Sequence, residues 1–190
     1  MQSFLGVAAL IINIAGYIPY IRDIFRNKVK PHPVTWGVWT ILTTIVAFNQ
    51  VSNGGGYSSL FFISTALLVG FVFILSLRYG MGGASKIDRL CLCLAILLLV
   101  YWLTVQETRI STLLVVTIDG IAAVPTILKT YQHPETESYN QWSLAGIAGF
   151  LTILSVPRLD WVLLLYPVYV LIANSAIVIV KYIRDRKQRD

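Results

Sequence analysis

GYIPYIRDIFRNKVKPHPVTW, residues Gly16 to Trp36, and DGIAAVPTILKTYQHPETESYNQW, residues Asp119 to Trp142, decide how this chain is read, because the second is a degenerate copy of the first. At a spacing of 106 positions, Pro19 falls on Pro125, Ile21 on Ile127 and Trp36 on Trp142. Beyond the two stretches Arg78 falls on Arg184, and polar Asn13 falls on acidic Asp119. Each copy reads as a three-helix unit with a proline inside its first helix, a tryptophan at the start of its second and an arginine just after its third. Three helices reverse direction, so two such units run parallel only if one further span between them restores it.

The composition fits membrane spans. Of 190 residues, 56% are hydrophobic and 13% charged, and the mean hydropathy is +0.71. A water-soluble domain carries about a quarter charged residues, so that class is excluded. A membrane-spanning helix needs about 20 apolar residues. Apolar runs bounded by charge, Gly or Pro predict seven helices: Phe4 to Ile24, Val34 to Val51, Tyr57 to Leu77, Leu90 to Val105, Ile110 to Leu128, Trp142 to Val156 and Trp161 to Val180. The fourth and sixth are short. Turn chemistry separates them, as at Asn53-Gly54-Gly55-Gly56, Gly80-Met81-Gly82-Gly83, His133-Pro134 and Pro157-Arg158. The expected fold is an all-α integral membrane protein, 3+1+3, with residues 1–80 as the first repeat, 81–107 as the linker span and 108–190 as the second repeat with a basic tail.

Charge sets the expected orientation. Assigning the loops alternately to two sides places thirteen of the fifteen Lys and Arg on one side and only Arg109 and Arg158 on the other. By the positive-inside rule the amino terminus faces out and the carboxyl terminus faces the cytoplasm, which requires an odd number of spans. The first run has no basic residue before Arg22 and no small-residue cleavage pattern, so it is expected as a retained helix rather than a signal peptide. The net charge of +6 then reads as a topology signal and an anchor for anionic lipid headgroups, not as a nucleic-acid footprint. A prokaryotic plasma membrane is the expected location.

The same two stretches resemble the PQ-loop repeats of the SWEET, SemiSWEET and lysosomal PQ-loop transporter superfamily. Pro19 and Pro125 match the proline of the Pro-Gln pair, whose glutamine is Tyr20 in one copy and Thr126 in the other. LIANSAIVIVKY around Asn174 is similar to the SWEET third-helix segment that bears a substrate-facing asparagine; Ser64 and Thr65 occupy the corresponding region of the first repeat. The resemblance implies a transporter with its solute site between the repeats, and assembly into small homo-oligomers.

Asp119 is the only acidic residue well inside a predicted span. An ionised carboxylate there costs about 3 kcal/mol or more, so it must face a wet cavity, meet a cation or carry a proton. It is expected to bind solute, to couple transport to protons, or, in the bland alternative, to hydrogen-bond across helices to Asn13. Asn13 and Asn174 serve equally well as solute ligands or as polar packing between helices. On the first helix Asn13, Gly16, Tyr17 and Tyr20 share one face, which adds Tyr17 to the binding set. Pro19 and Pro125 each remove a helical hydrogen bond and are expected hinges, and Pro167 is an unpaired kink. Trp36 and Trp142 are expected as interface anchors. Trp39, Thr40, Thr43, Thr44 and Asn49 form a polar stripe on the second helix.

Cys91 and Cys93 sit two apart in an apolar run and read as lipid-facing or packing residues. His32 and His133 read as loop residues, so no metal site or cofactor is expected. No nucleophile elbow, metalloprotease helix, phosphate loop or carboxylate pair occurs, and an enzyme is not expected. The function expected is transport of a small polar solute such as a sugar or amino acid by alternating access, with Asn13, Asp119, Asn174 and Tyr17 at the site. The alternative is a seven-helix receptor or assembly scaffold in which Asp119 would be sealed by Leu, Ile and Phe.

Overall fold

The computed structural model describes residues 1–80, 85–105 and 107–187, except for the side chains at 88, 91, 125, 129 and 136. Part of the expected Gly80 turn, the Cys91 and Pro125 side chains and the end of the tail therefore lie outside the described residues. Seven α-helices and no strand occur among them: α1 (Gln2–Phe25), α2 (Pro33–Ser52), α3 (Ser59–Tyr79), α4 (Lys86–Val105), α5 (Thr108–Gln132), α6 (Tyr139–Ser155) and α7 (Trp161–Lys187). Five segments are long and apolar enough to cross a membrane: α1, α2, Gly56–Tyr79, α5 and α7. The 17 residues of α6 rise about 25 Å, short of a hydrocarbon core of about 30 Å. Among the described residues, α4 contributes a shorter apolar stretch, Leu92–Val105.

The surface inverts the pattern of a soluble bundle. Along α1 the outward residues Phe4, Ile11 and Ile18 recur every seven positions and are more than half exposed, and Leu67 and Ile74 do the same along α3. Contiguous apolar stripes of this kind suit hydrocarbon and not water. Asn13, Ser64, Thr112, Asp119, Thr152 and Asn174 are buried instead.

Helix starts and close approaches follow from local sequence. Pro33 opens α2, and the His32 ring nitrogen Nδ1 accepts from the Thr35 amide at 3.4 Å. Ser138 caps α6 in the same way, its Oγ accepting from the Gln141 amide at 3.4 Å. Gly6 lets α1 lie against the turn before α3, where a Cβ would come within 2.6 Å of the Tyr57 carbonyl oxygen. α3 packs on α1 and α2, and α7 packs on α5 and α6. The two helix groups meet where α1 packs on α6 and α2 on α5, with α4 lying against α2 and α5.

Proline inside a helix leaves the carbonyl four residues earlier without its amide donor. In α7 that proline is Pro167 and the carbonyl belongs to Leu163. Gln50 Nε2 on α2 donates to this oxygen at 3.0 Å, so the carbonyl freed by proline is satisfied by a neighbouring helix. Pro19 sits within the continuous span of α1, as Pro125 does within α5.

Candidate functional site

A cavity of about 100 Å³ lies between α1, α2, α3, α5, α6 and α7. Asn13, Tyr17, Asp119 and Asn174, the four residues expected at a solute site, all line it. They are brought together from three helices that are remote in sequence.

Asp119 is 6% exposed, and Tyr166 of α7 donates its hydroxyl to Oδ2 at 2.6 Å, the short distance typical of a hydrogen bond to a carboxylate. Asn13 does not pair with Asp119. Its Nδ2 donates to Ser64 Oγ at 2.9 Å and to Thr65 Oγ1 at 3.0 Å, and both hydroxyls donate back to the Phe61 carbonyl at 2.8 Å. The amide is thus held against α3, because its hydroxyl partners are themselves anchored. Asn174 Nδ2 donates to the Val170 carbonyl of its own helix at 2.7 Å.

Three polar atoms on the cavity-lining residues have no hydrogen-bond partner: Trp39 Nε1, Gln141 Oε1 and Asn174 Oδ1. Aromatic rings supply much of the remaining wall. Trp36 and Trp39 meet edge to face at 5.3 Å, Trp39 and Trp142 at 6.3 Å, and Tyr166 lies 5.6 Å from Tyr169.

The tryptophans expected as interface anchors are placed differently. Trp36 is 5% exposed and packs on Tyr17 and Tyr20. Trp142 lines the cavity, and its indole N–H donates to Glu137 at 2.8 Å, so a loop carboxylate takes the place of headgroup or water. Position near a helix start was legible in the sequence; the face each ring occupies depends on helix packing. The stripe on α2 is divided likewise. Trp39 and Thr43 line the cavity. Thr40 and Thr44 bond back to their own helix, while Asn49 joins Ser111 of α5 and the Trp102 indole of α4 at 2.9 and 3.0 Å.

A second cavity of about 80 Å³ lies towards the starts of α2 and α6, lined by Tyr20, His32, Thr35, Thr126 and Glu137 among others. Trp36, Trp39 and Trp142 line both cavities and so stand between them. The opposite end of the bundle is tied by Gln2 Nε2 donating to the Val156 carbonyl and by Arg158 donating to that of Asn53. Sequence reasoning missed Gln141, Tyr166 and Tyr169. The two tyrosines three apart in an otherwise apolar span were the available signal for a shared polar face. Among the described residues, no three His, Cys, Asp or Glu gather in a way that could hold a metal ion.

No protein-family model, curated protein or solved structure matches this chain.

Proposed function

We propose that the chain is a transporter of a small polar solute that works by alternating access between two parallel three-helix units joined by α4. The observation that carries this reading is the polar and aromatic cavity built around Asp119 at the meeting of six helices. A scaffold has no need to keep a carboxylate and unpartnered polar atoms round a void. The neighbours of Asp119 there are tyrosine and tryptophan rather than the Leu, Ile and Phe of a sealed core.

Pseudo-symmetry supports the two-unit reading. The spacing of 106 residues that relates Pro19 to Pro125 also relates the cap residues His32 and Ser138 and their amide donors Thr35 and Gln141. It relates four pairs of cavity residues: Asn13 to Asp119, Tyr17 to Ala123, Trp36 to Trp142 and Trp39 to Ala145. The packing of α1 on α6 and of α2 on α5 is the pair of contacts that a pseudo-twofold axis would exchange. The resemblance to PQ-loop transporters belongs to the same proposal.

The cycle proceeds by rocking of one unit against the other. In this conformer the end carrying the amino terminus is tied, and the tryptophan layer separates the solute cavity from the vestibule at the basic end. Opening to the basic side requires that layer to part; opening to the other side requires the Gln2–Val156 and Arg158–Asn53 contacts to break. Pro19 and Pro125 let the two halves of their helices swing, and Asp119 is the site at which a proton couples to the solute. The orientation is amino terminus outside and basic end cytoplasmic, in a prokaryotic plasma membrane with anionic headgroups against the basic loops, and the protein assembles as a homo-oligomer.

The test is uptake of labelled solutes into proteoliposomes with no proton gradient, an inward one or an outward one, comparing the native chain with Asp119→Asn. Gradient-driven uptake that the variant loses is the expected result. Gradient-independent uptake that survives the change removes proton coupling and leaves a facilitator. No uptake of any solute refutes transport and returns the chain to the receptor or scaffold alternative.

A further inference from the structure

The geometry points to a small primary ammonium compound, without a carboxylate of its own, as the solute of the Asp119 cavity; this rests on the transport reading above. The inference begins with the three orphaned polar atoms. A buried polar group without a partner costs about 1–3 kcal/mol, so native proteins rarely keep one. Here Trp39 Nε1, Gln141 Oε1 and Asn174 Oδ1 all belong to lining residues of one cavity of about 100 Å³. Gln141 and Asn174 are 4% and 9% exposed. The bond from Asn174 Nδ2 to the Val170 carbonyl orients that amide and leaves its oxygen as the free atom.

The inventory is asymmetric. The two free amide oxygens and the Asp119 carboxylate make three acceptor groups, whereas the donors, the Tyr166 and Tyr169 hydroxyls and the Trp39 indole N–H, are grouped against that one carboxylate and leave the two amide oxygens unserved. An alkylammonium carries three N–H donors and no acceptor, so it matches the three acceptor groups in number. Charge points the same way. Among the described residues the lining holds one carboxylate and no Lys, Arg or His, so Asp119 is neutralised either by a proton or by a cationic solute, and the two exchange on the same carboxylate. The walls contributed by Tyr17, Trp36, Trp39, Trp142 and Tyr169 offer π faces to that cation.

Other solute classes fit less well. A zwitterionic amino acid would bring its carboxylate close to Asp119 with no cationic side chain to receive it. A neutral polyol brings no charge, so Asp119 would have to stay protonated whenever it is bound. A quaternary ammonium offsets the charge but has no N–H for Gln141 and Asn174. Size restricts the choice further, since a cavity of about 150 Å³ accommodates benzene. A void of about 100 Å³ therefore holds on the order of four or five non-hydrogen atoms.

The probe that follows is ethanolamine. The full-length chain is reconstituted in proteoliposomes, and uptake of labelled ethanolamine is measured against protein-free vesicles, with alanine, glycerol and choline as competitors and as labelled solutes in parallel. Calorimetric titration of the purified protein gives the affinities. Expected is saturable ethanolamine uptake and binding at least tenfold tighter than that of the other three. Asp119→Asn is expected to weaken binding at least tenfold and Asn174→Leu several-fold, in variants whose helical content and elution profile match the native chain. The competition on the native chain decides the matter even if neither variant folds. Alanine, glycerol or choline bound and transported as well as ethanolamine overturns the ammonium assignment and leaves transport standing. No binding and no uptake of any of the four overturns the assignment, and silence across the wider solute panel defeats transport as well.

Discussion

The bond between Gln50 and the proline-freed carbonyl of α7 allows a quantitative test of how this bundle is held together. Gln50 Nε2 donates to the Leu163 carbonyl that Pro167 leaves without a helical donor, and Gln50 is 2% exposed. Gln50→Leu keeps similar bulk and strands that carbonyl, at a cost of about 1–3 kcal/mol. Two effects reduce the figure. Gln50 Oε1 has no partner, so the substitution removes one orphan as it creates another. Side-chain hydrogen bonds between membrane helices also measure about 0.6 kcal/mol on average, with a maximum near 1.7. The expected net loss is therefore about 1 kcal/mol.

Pro167→Ala supplies the missing amide, which then bonds the Leu163 carbonyl within α7. In that background Gln50→Leu is expected to cost nothing or to stabilise slightly, giving a coupling of about 1 kcal/mol. The assay is equilibrium unfolding in detergent of the native chain, both single variants and the double variant. Additivity to within about 0.5 kcal/mol would refute the reasoning, because it would mean that Gln50 does not serve the carbonyl freed by proline.

Three further outcomes follow from the contacts. Tyr166→Phe removes the hydroxyl that donates to Asp119 at 2.6 Å; unfolding in detergent is expected to show a loss of about 1–2 kcal/mol, at the upper end for bonds between membrane helices because the acceptor is a carboxyl group, and an unchanged midpoint would contradict a hydrogen-bonded carboxylate at this site. Lys181→Met removes a buried ammonium that donates to the Pro134 carbonyl at 2.6 Å, pairs with Asp185 at 3.2 Å and lies 4.6 Å from the Tyr139 ring. Loss of about 2 kcal/mol and faster proteolysis at the α5–α6 turn are expected, and cleavage at the native rate would show that Lys181 does not clamp that turn. In single-tryptophan variants, brominated lipids should quench Trp161, which is 45% exposed, far more than Trp36 at 5%; equal quenching would restore Trp36 to the bilayer interface.

Much of the fold was legible because a membrane helix is a one-dimensional signal. Apolar runs such as Ile110 to Leu128 have to be helical, since lipid offers no partner for an open backbone. Punctuation at Asn53 to Gly56 and at Pro157 marks where they stop. The expected ends fall within a few residues of those observed except at the carboxyl end of α7, which runs on to Lys187 through charged residues that hydropathy alone assigns to the tail. The site was legible for a related reason. Asn13, Asp119 and Asn174 stand out because polar groups are rare at that depth, and all three line one cavity. Asn49 stands out equally and is spent on packing against Ser111 and Trp102, a distinction that polarity cannot draw. The direction in which Trp36 and Trp142 face was not legible, because an aromatic ring near a helix start suits either the interface or the bundle interior.

By itself, the sequence determined an all-helical, lipid-compatible chain, the approximate limits of its helices and the few polar groups that must be sheltered, because all of these depend on transfer of residues out of water. Tertiary structure alone decided which polar groups share a cavity, which satisfy one another and which remain unpartnered. Those outcomes depend on the rotation and approach of whole helices: Tyr166 reaches Asp119 across 47 residues and Gln50 reaches Leu163 across 113, and no local pattern encodes either distance.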